Sequence, residues 1–143
     1  MSVEGVFRVL QPPATRDEIA ALQSACGVLP ASYLDFLAET NGSERGVHDA
    51  DGDCLTLWAS NEIAALNDAY QIARWVAEFL VIGSDGGDSA IGFDRAESMN
   101  PELWPVVRVG FGNLDRAEFV RLADGFRDWQ DREFRLRRSA RVS

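Results

Sequence analysis

Two segments constrain what this chain can fold into more than any others. Residues 29–42 read Leu-Pro-Ala-Ser-Tyr-Leu-Asp-Phe-Leu-Ala-Glu-Thr-Asn-Gly, a short helix fenced by a proline at its start and a glycine cap at its end. Residues 82–94 read Ile-Gly-Ser-Asp-Gly-Gly-Asp-Ser-Ala-Ile-Gly-Phe-Asp, a strand, an acidic glycine turn and a returning strand. A chain that buries both needs helices laid on antiparallel strands.

The remaining pattern agrees with that demand. Val3, Val6, Phe7 and Leu10 recur at helical spacing until Pro12 and Pro13 end the run, with a short strand as the alternative. Thr15 and Glu18 form a capping box for a helix whose inward stripe is Ile19, Leu22 and Cys26 and which Gly27 stops. In the helix that Pro30 starts, Tyr33, Phe36, Leu37 and Thr40 share a face. Residues 43–53 are polar and acidic and read as an exposed loop, after which Cys54, Leu55, Thr56, Leu57 and Trp58 alternate as a strand. Ser60 caps a helix carrying Ile63, Leu66 and Tyr70. A stretch with Trp75, Val76 and Phe79 leads into the central strand Leu80-Val81-Ile82.

Pro105 before Val106, Val107 and Val109 marks a strand start or an edge. Phe119, Leu122, Phe126 and Trp129 predict a closing amphipathic helix, with Gly125 as its weak point. Helices, then a strand meander, then a last helix define an α+β fold: N-terminal helices packed on a mainly antiparallel sheet with a closing C-terminal helix.

Length sets one domain of 143 residues, and charge divides it. Residues 1–131 hold 22 Asp or Glu against 9 Arg, a balance of −13, whereas residues 132–143 hold 5 Arg and 1 Glu, a balance of +4. The expected organisation is a single acidic domain over 1–131 and an Arg-rich tail over 132–143. An acidic body repels phosphate backbones and attracts basic proteins, so the expected partner is a basic protein and not a nucleic acid. No apolar run approaches the ~18–20 residues that span a bilayer, and the start lacks the basic and apolar regions of a secretory signal, so the expected setting is cytoplasmic, without membrane contact.

Candidate chemistry is sparse. Asp49, Asp51 and Asp53 alternate like a calcium loop, but Cys54 stands where that loop needs its glycine and Ser60 where it needs a bidentate glutamate. Asp85-Gly86-Gly87-Asp88, with Asp94 beyond, could present carboxylates to a metal for hydrolysis, yet no base, histidine or cationic partner accompanies them. The favoured reading is a tight turn whose aspartates bond nearby backbone amides and which, if exposed, serves as a contact loop. The glycines are no phosphate loop, because the chain has no lysine at all. His48 is the sole histidine, a solvated loop residue that makes no pair with Ser32, Ser84 or Ser89. Cys26 and Cys54 read as two buried thiols without a zinc set. Of the four tryptophans, Trp129 fits the core stripe, while Trp58 and Trp104 suit either a core or a partner interface. No catalytic residue, metal or cofactor is expected.

Leu29-Pro30, Tyr33, Phe36-Leu37 and Asn41-Gly42, followed by Ile82-Gly83, Asp85-Gly86-Gly87-Asp88 and Asp94, resemble in order and spacing the SUKH superfamily, which includes yeast cell-wall-synthesis regulators and bacterial immunity proteins. The resemblance spans roughly Val6 to Trp129. It departs in its two adjacent glycines and in the unusually acidic 49–53 loop. It implies a protein-binding scaffold without shared catalytic residues, in bacteria often one that neutralises a cognate toxin such as a nuclease. The partner-binding residues expected on that reading are Asp49, Asp51, Asp53, Trp58, Asp85 and Asp88. A regulatory or scaffolding role in cell-envelope synthesis or signalling is the second reading, and an Asp85/Asp88/Asp94 metal-dependent hydrolase the third.

Overall fold

The computed structural model describes residues 9–45 and 54–136. Seven strands form one antiparallel meander in which sheet order equals chain order: β1 (Val9–Leu10), β2 (Ser43–Arg45), β3 (Leu55–Leu57), β4 (Phe79–Ser84), β5 (Ser89–Asp94), β6 (Val106–Gly110) and β7 (Val120–Ala123). The helices are α1 (Arg16–Cys26), α2 (Ala31–Glu39), α3 (Ser60–Ala69), α4 (Ile72–Trp75) and α5 (Phe126–Asp131). This is the expected α+β fold.

Directly opposed residues share a face of the sheet, so Leu80, Phe93 and Val106 point one way and Val81, Gly92 and Val107 the other. Helices α2 and α5 cover the first face: Tyr33 and Phe126 meet Phe93 edge-on with centroids 5.4 and 6.1 Å away. On the second face Phe79 packs against Phe119 with centroids 4.8 Å apart and rings tilted, and the guanidinium of Arg116, from the 3-10 turn Arg116–Glu118, lies over the Phe119 ring at 5.5 Å.

The capping box of α1 forms as its sequence requires: the Glu18 amide donates to Thr15 Oγ1 and the Thr15 amide to Glu18 Oε1. Pro30 gives α2 no side-chain cap. The carboxylate of Glu102 supplies one from 70 residues downstream, accepting from the Ser32 amide at 2.9 Å and from the Ser32 hydroxyl. Helix α3 starts one residue earlier than its own hydroxyl would set it, because Ser60 is its first turn and the Ala59 amide donates to Glu62.

Three local expectations give way to tertiary pairing, and two more are refined by the structure. Residues 1–8 lie outside the described residues, but Leu10, placed on a helical stripe by spacing, pairs with Ser43 as a strand. Ser43 to Arg45, expected in a loop, form β2, with Ser43 buried; residues 46–53 lie outside the described residues. The long closing helix is β7 followed by the short α5: the Phe119 and Leu122 spacing suits a helix, yet Val106, Val107 and Arg108 take residues 120–123 as strand partners. Gly125 is no weak point within a helix. It precedes α5 where a Cβ would collide with the Glu102 carbonyl, so the chain needs glycine there. Pro105 starts β6, which is paired on both sides and is no edge.

The core extends beyond the charge boundary. Phe134 and Leu136 are buried, and Phe134 packs on Trp129, Phe126 and Phe36 with centroids 5.0 to 5.9 Å apart. Trp129 is buried as its stripe predicts. Trp104 is buried too, against Phe93, with its indole N–H donating to the Ser98 carbonyl.

Candidate functional site

The residues that make the sequence recognisable are spent on the fold. Asn41 Oδ1 accepts from the Ser60 amide at 2.6 Å and so caps α3, while the Asn41 backbone N–H donates to the Pro12 carbonyl. Gly42 follows at φ +95, tight against the Leu57 carbonyl and the Ala59 amide, and alone supplies the left-handed residue expected of the Asn-Gly pair. Asp94, buried at the end of β5, pairs with Arg116, which also donates to the Ala77 carbonyl.

The hairpin between β4 and β5 divides its two aspartates. Asp85 is 12% exposed and fully engaged: Oδ1 accepts from the Gly87 and Ser89 amides and Oδ2 from Arg108 at 2.9 Å. Arg108 in turn donates to the Leu136 carbonyl. Asp85 is therefore a turn former and a fixed ion-pair partner, and only Asp88 is exposed to solvent. Asp94 stands at the far end of β5, about 20 Å from Asp88 by strand rise, so these three carboxylates do not converge on one ion. Among the described residues no group of three His, Cys, Asp or Glu side chains is placed to hold a metal.

Trp58 does take part in a surface arrangement. It is 9% exposed, and its ring lies nearly parallel to that of Tyr70, 6.5 Å away with 11° between planes. Tyr70, 45% exposed, stacks in turn on Phe111 at 4.5 Å and 25°. The Phe111 amide donates to the Asp88 carbonyl at 2.7 Å, so the aromatic row runs from the end of β3 to the acidic hairpin. At its other end Trp58 borders a cleft of about 480 Å³ walled by Gly42, Ser43, Glu44, Glu62 and Leu66. The exposed Glu44 faces solvent there, and the buried Ser43 hydroxyl has no hydrogen-bond partner among the described residues.

The position of α3 decides this geometry, and Asn67 decides the position of α3. Strand β3 pairs with β4 only at Thr56 and Leu57. At Val81, beyond Leu57 and the Trp58 amide bond to Ile82, the Asn67 amide stands in for a strand: Nδ2 donates to the Val81 carbonyl at 2.7 Å and Oδ1 accepts from its amide at 2.9 Å.

Asp49, Asp51, Asp53 and His48 lie outside the described residues. The residue after Asp53, Cys54, sits with its Cβ against Gly86 of the hairpin turn. The two cysteines are free and half-buried. Burial pushes the Cys26 thiol up from its ordinary value, with the Arg95 guanidinium opposing, and burial pushes the Tyr33 phenol up, with Cys26 adding to it.

Sequence reasoning named Trp58 and Asp88 and held Glu44 within the acidic 43–53 segment, but did not bring Tyr70, Phe111 and Glu62 together with them. Tyr70 falls on the apolar stripe of α3 with Ile63 and Leu66, which hides its exposure, and no local signal brings Phe111 to it.

No helix is long and apolar enough to cross a membrane among the described residues. A search of the curated proteins finds no match. A model of the SMI1 / KNR4 family (SUKH-1) matches residues 13–132, a span that contains both motif segments and all the helices described above, and the chain belongs to that family.

Proposed function

We propose that the protein is a cytoplasmic, non-catalytic binding module that takes a basic protein partner on the strip from Glu44 and Glu62 through Trp58, Tyr70 and Phe111 to Asp88, and that it serves as an immunity protein against a cognate toxin. The aromatic row beside exposed carboxylates carries this reading. The exposed side of this aromatic row, with acids near it, suits lysine and arginine side chains, whose apolar stems lie along the row while their charges face carboxylates. Aromatic residues are also the commonest anchors of protein interfaces. Membership of the SUKH-1 family supports a protein-binding role, and a chain net charge of −9 supports fast encounter with a basic surface. Asp49, Asp51 and Asp53, which lie outside the described residues, add three negative charges to a chain that a basic partner would approach.

The test is co-expression and binding with the product of the adjacent gene. The wild-type chain binds it and protects the cell; Glu44→Arg with Tyr70→Ala weakens binding by about 10- to 100-fold. Neutralising Asp49, Asp51 and Asp53 slows association and flattens its salt dependence. A partner that binds both variants at wild-type affinity removes this surface, and the absence of both binding and protection removes the immunity role.

A further inference from the structure

Helix α3 has a second flank. Glu62 and Leu66 face the Trp58 cleft, while Ala64, Asn67, Asp68 and Gln71 border another cleft of about 470 Å³, closed by the end of α1, by α4 and by Phe79 and Leu80 at the start of β4. Its chemistry is opposite. Two guanidiniums stand on its walls: Arg74 donates to Gln71 Oε1 at 3.0 Å, and Arg95 donates to the Glu78 and Cys26 carbonyls at 3.3 and 3.4 Å.

Neither arginine has a carboxylate within ion-pair distance among the described residues, although the chain carries 23 Asp and Glu to 14 Arg. Arg108, Arg116, Arg121 and Arg132 all have one. The carboxylate on the cleft wall, Asp68, is exposed and pairs with neither cation. In so acidic a body, two uncompensated guanidiniums at one cleft present a local positive field to anything acidic that approaches.

The apolar floor of the cleft is Ile72, Phe79 and Leu80. Next to its wall residue Arg74 stands Trp75, which does not line the cleft itself but is 60% exposed with the Arg74 guanidinium over its ring at 5.3 Å. The four-residue α4 that presents both is bracketed by Gln71 at φ 55 and Glu78 at φ 66, two side-chain-bearing residues held in the left-handed region. An indole platform with cations beside it and an apolar floor of Ile72, Phe79 and Leu80 matches a chain that alternates carboxylates with apolar side chains. It does not match a polyphosphate, which the surrounding negative charge repels and which has nothing to lay on Trp75.

We infer that this cleft is a second docking site, for an acidic peptide segment of a partner protein, with its carboxylates on Arg74 and Arg95 and an apolar side chain against Trp75. The inference is independent of the acidic strip, because it uses other residues and the opposite charge.

The experiment titrates the isotope-labelled full chain with the capped tetrapeptide acetyl-Glu-Leu-Leu-Glu-amide, following the Trp75 indole N–H and the arginine Nε–H resonances. Saturable shifts at Trp75, Arg74 and Arg95 are expected, weakened at least about tenfold in Arg74→Gln and in Trp75→Ala, both exposed positions that leave the fold intact. The Glu44→Arg, Tyr70→Ala chain binds the peptide as wild type does. The inference is overturned if no saturable shift appears at millimolar peptide, if acetyl-Gln-Leu-Leu-Gln-amide binds equally, or if a short oligothymidylate competes for the same resonances more tightly than the peptide.

Discussion

The two clefts that flank α3 have nearly equal volumes, about 480 and 470 Å³, and each has a tryptophan by it, Trp58 in the wall of the first and Trp75 next to Arg74 of the second, yet they are built on different principles. Trp58 is 9% exposed and its face is completed by Tyr70 and Phe111, so its cleft is the visible end of a packed aromatic row. Trp75 is 60% exposed and stands on a four-residue helix between two left-handed residues, with only Arg74 over its ring. One cleft is held by packing and lined by acids; the other is held by backbone geometry and lined by bases. A single helix can thus separate two surfaces of opposite charge, provided it is fixed firmly.

That fixing is the first thing to break. Asn67→Ala strands the Val81 amide and carbonyl, and denaturation should show a loss of about 2–3 kcal/mol, with resonances on both flanks of α3 shifting together. A loss under about 0.5 kcal/mol would mean that α3 is seated by packing alone, and the two clefts would then be independent of its fork. A smaller effect of opposite sign sharpens the contrast in construction. Gln71→Gly relieves a left-handed side-chain-bearing residue, so stability should rise by about 0.5–1 kcal/mol while the acidic peptide binds less tightly, because α4 and the Gln71 contact to Arg74 loosen. If stability falls instead, the bracket around α4 is unstrained.

The smallest effect reads the field of the basic cleft. Burial raises the Cys26 thiol and Arg95 partly offsets it, so Arg95→Gln removes the offset and the thiolate forms at higher pH than in the parent. In a Cys54→Ser background, the pH profile of reaction with a disulfide reagent should move upward on that substitution. A profile that stays still or moves down would show that Arg95 does not act on this cleft.

Local rules made much of the fold legible before any coordinates. Thr15 and Glu18 announced α1, Pro30 and Gly42 bounded α2, and the glycine turn at 85–88 announced the β4–β5 hairpin. The failures share one cause. Leu10, Ser43 and Leu122 each obey a local pattern that a distant strand overrides, and no residue near them in sequence reports that strand. The site was legible only in part for the same reason. Asp85 reads from sequence as a turn aspartate bonded to nearby backbone amides, and it is one, but nothing local shows that Arg108, 23 residues on, claims its other oxygen. Tyr70 looks like core until Trp58 and Phe111 are seen on either side of it. The motif residues Asn41 and Asp94 identify the family because they cap α3 and seat Arg116, which explains how a family signature can be so clear and say so little about what is bound.

The agreement between sheet order and chain order bears on how the molecule comes off the ribosome. Each strand from β4 to β7 meets its neighbour soon after it emerges, so this part of the sheet can zip up as it is made. Helix α2 has no such luck: its N-terminal amide and hydroxyl at Ser32 wait for a glutamate synthesised 70 residues later. Helix α2, though among the first elements translated, completes its N-terminal cap only once Glu102 has been made, and its apolar face is what a chaperone would have to shield in the meantime.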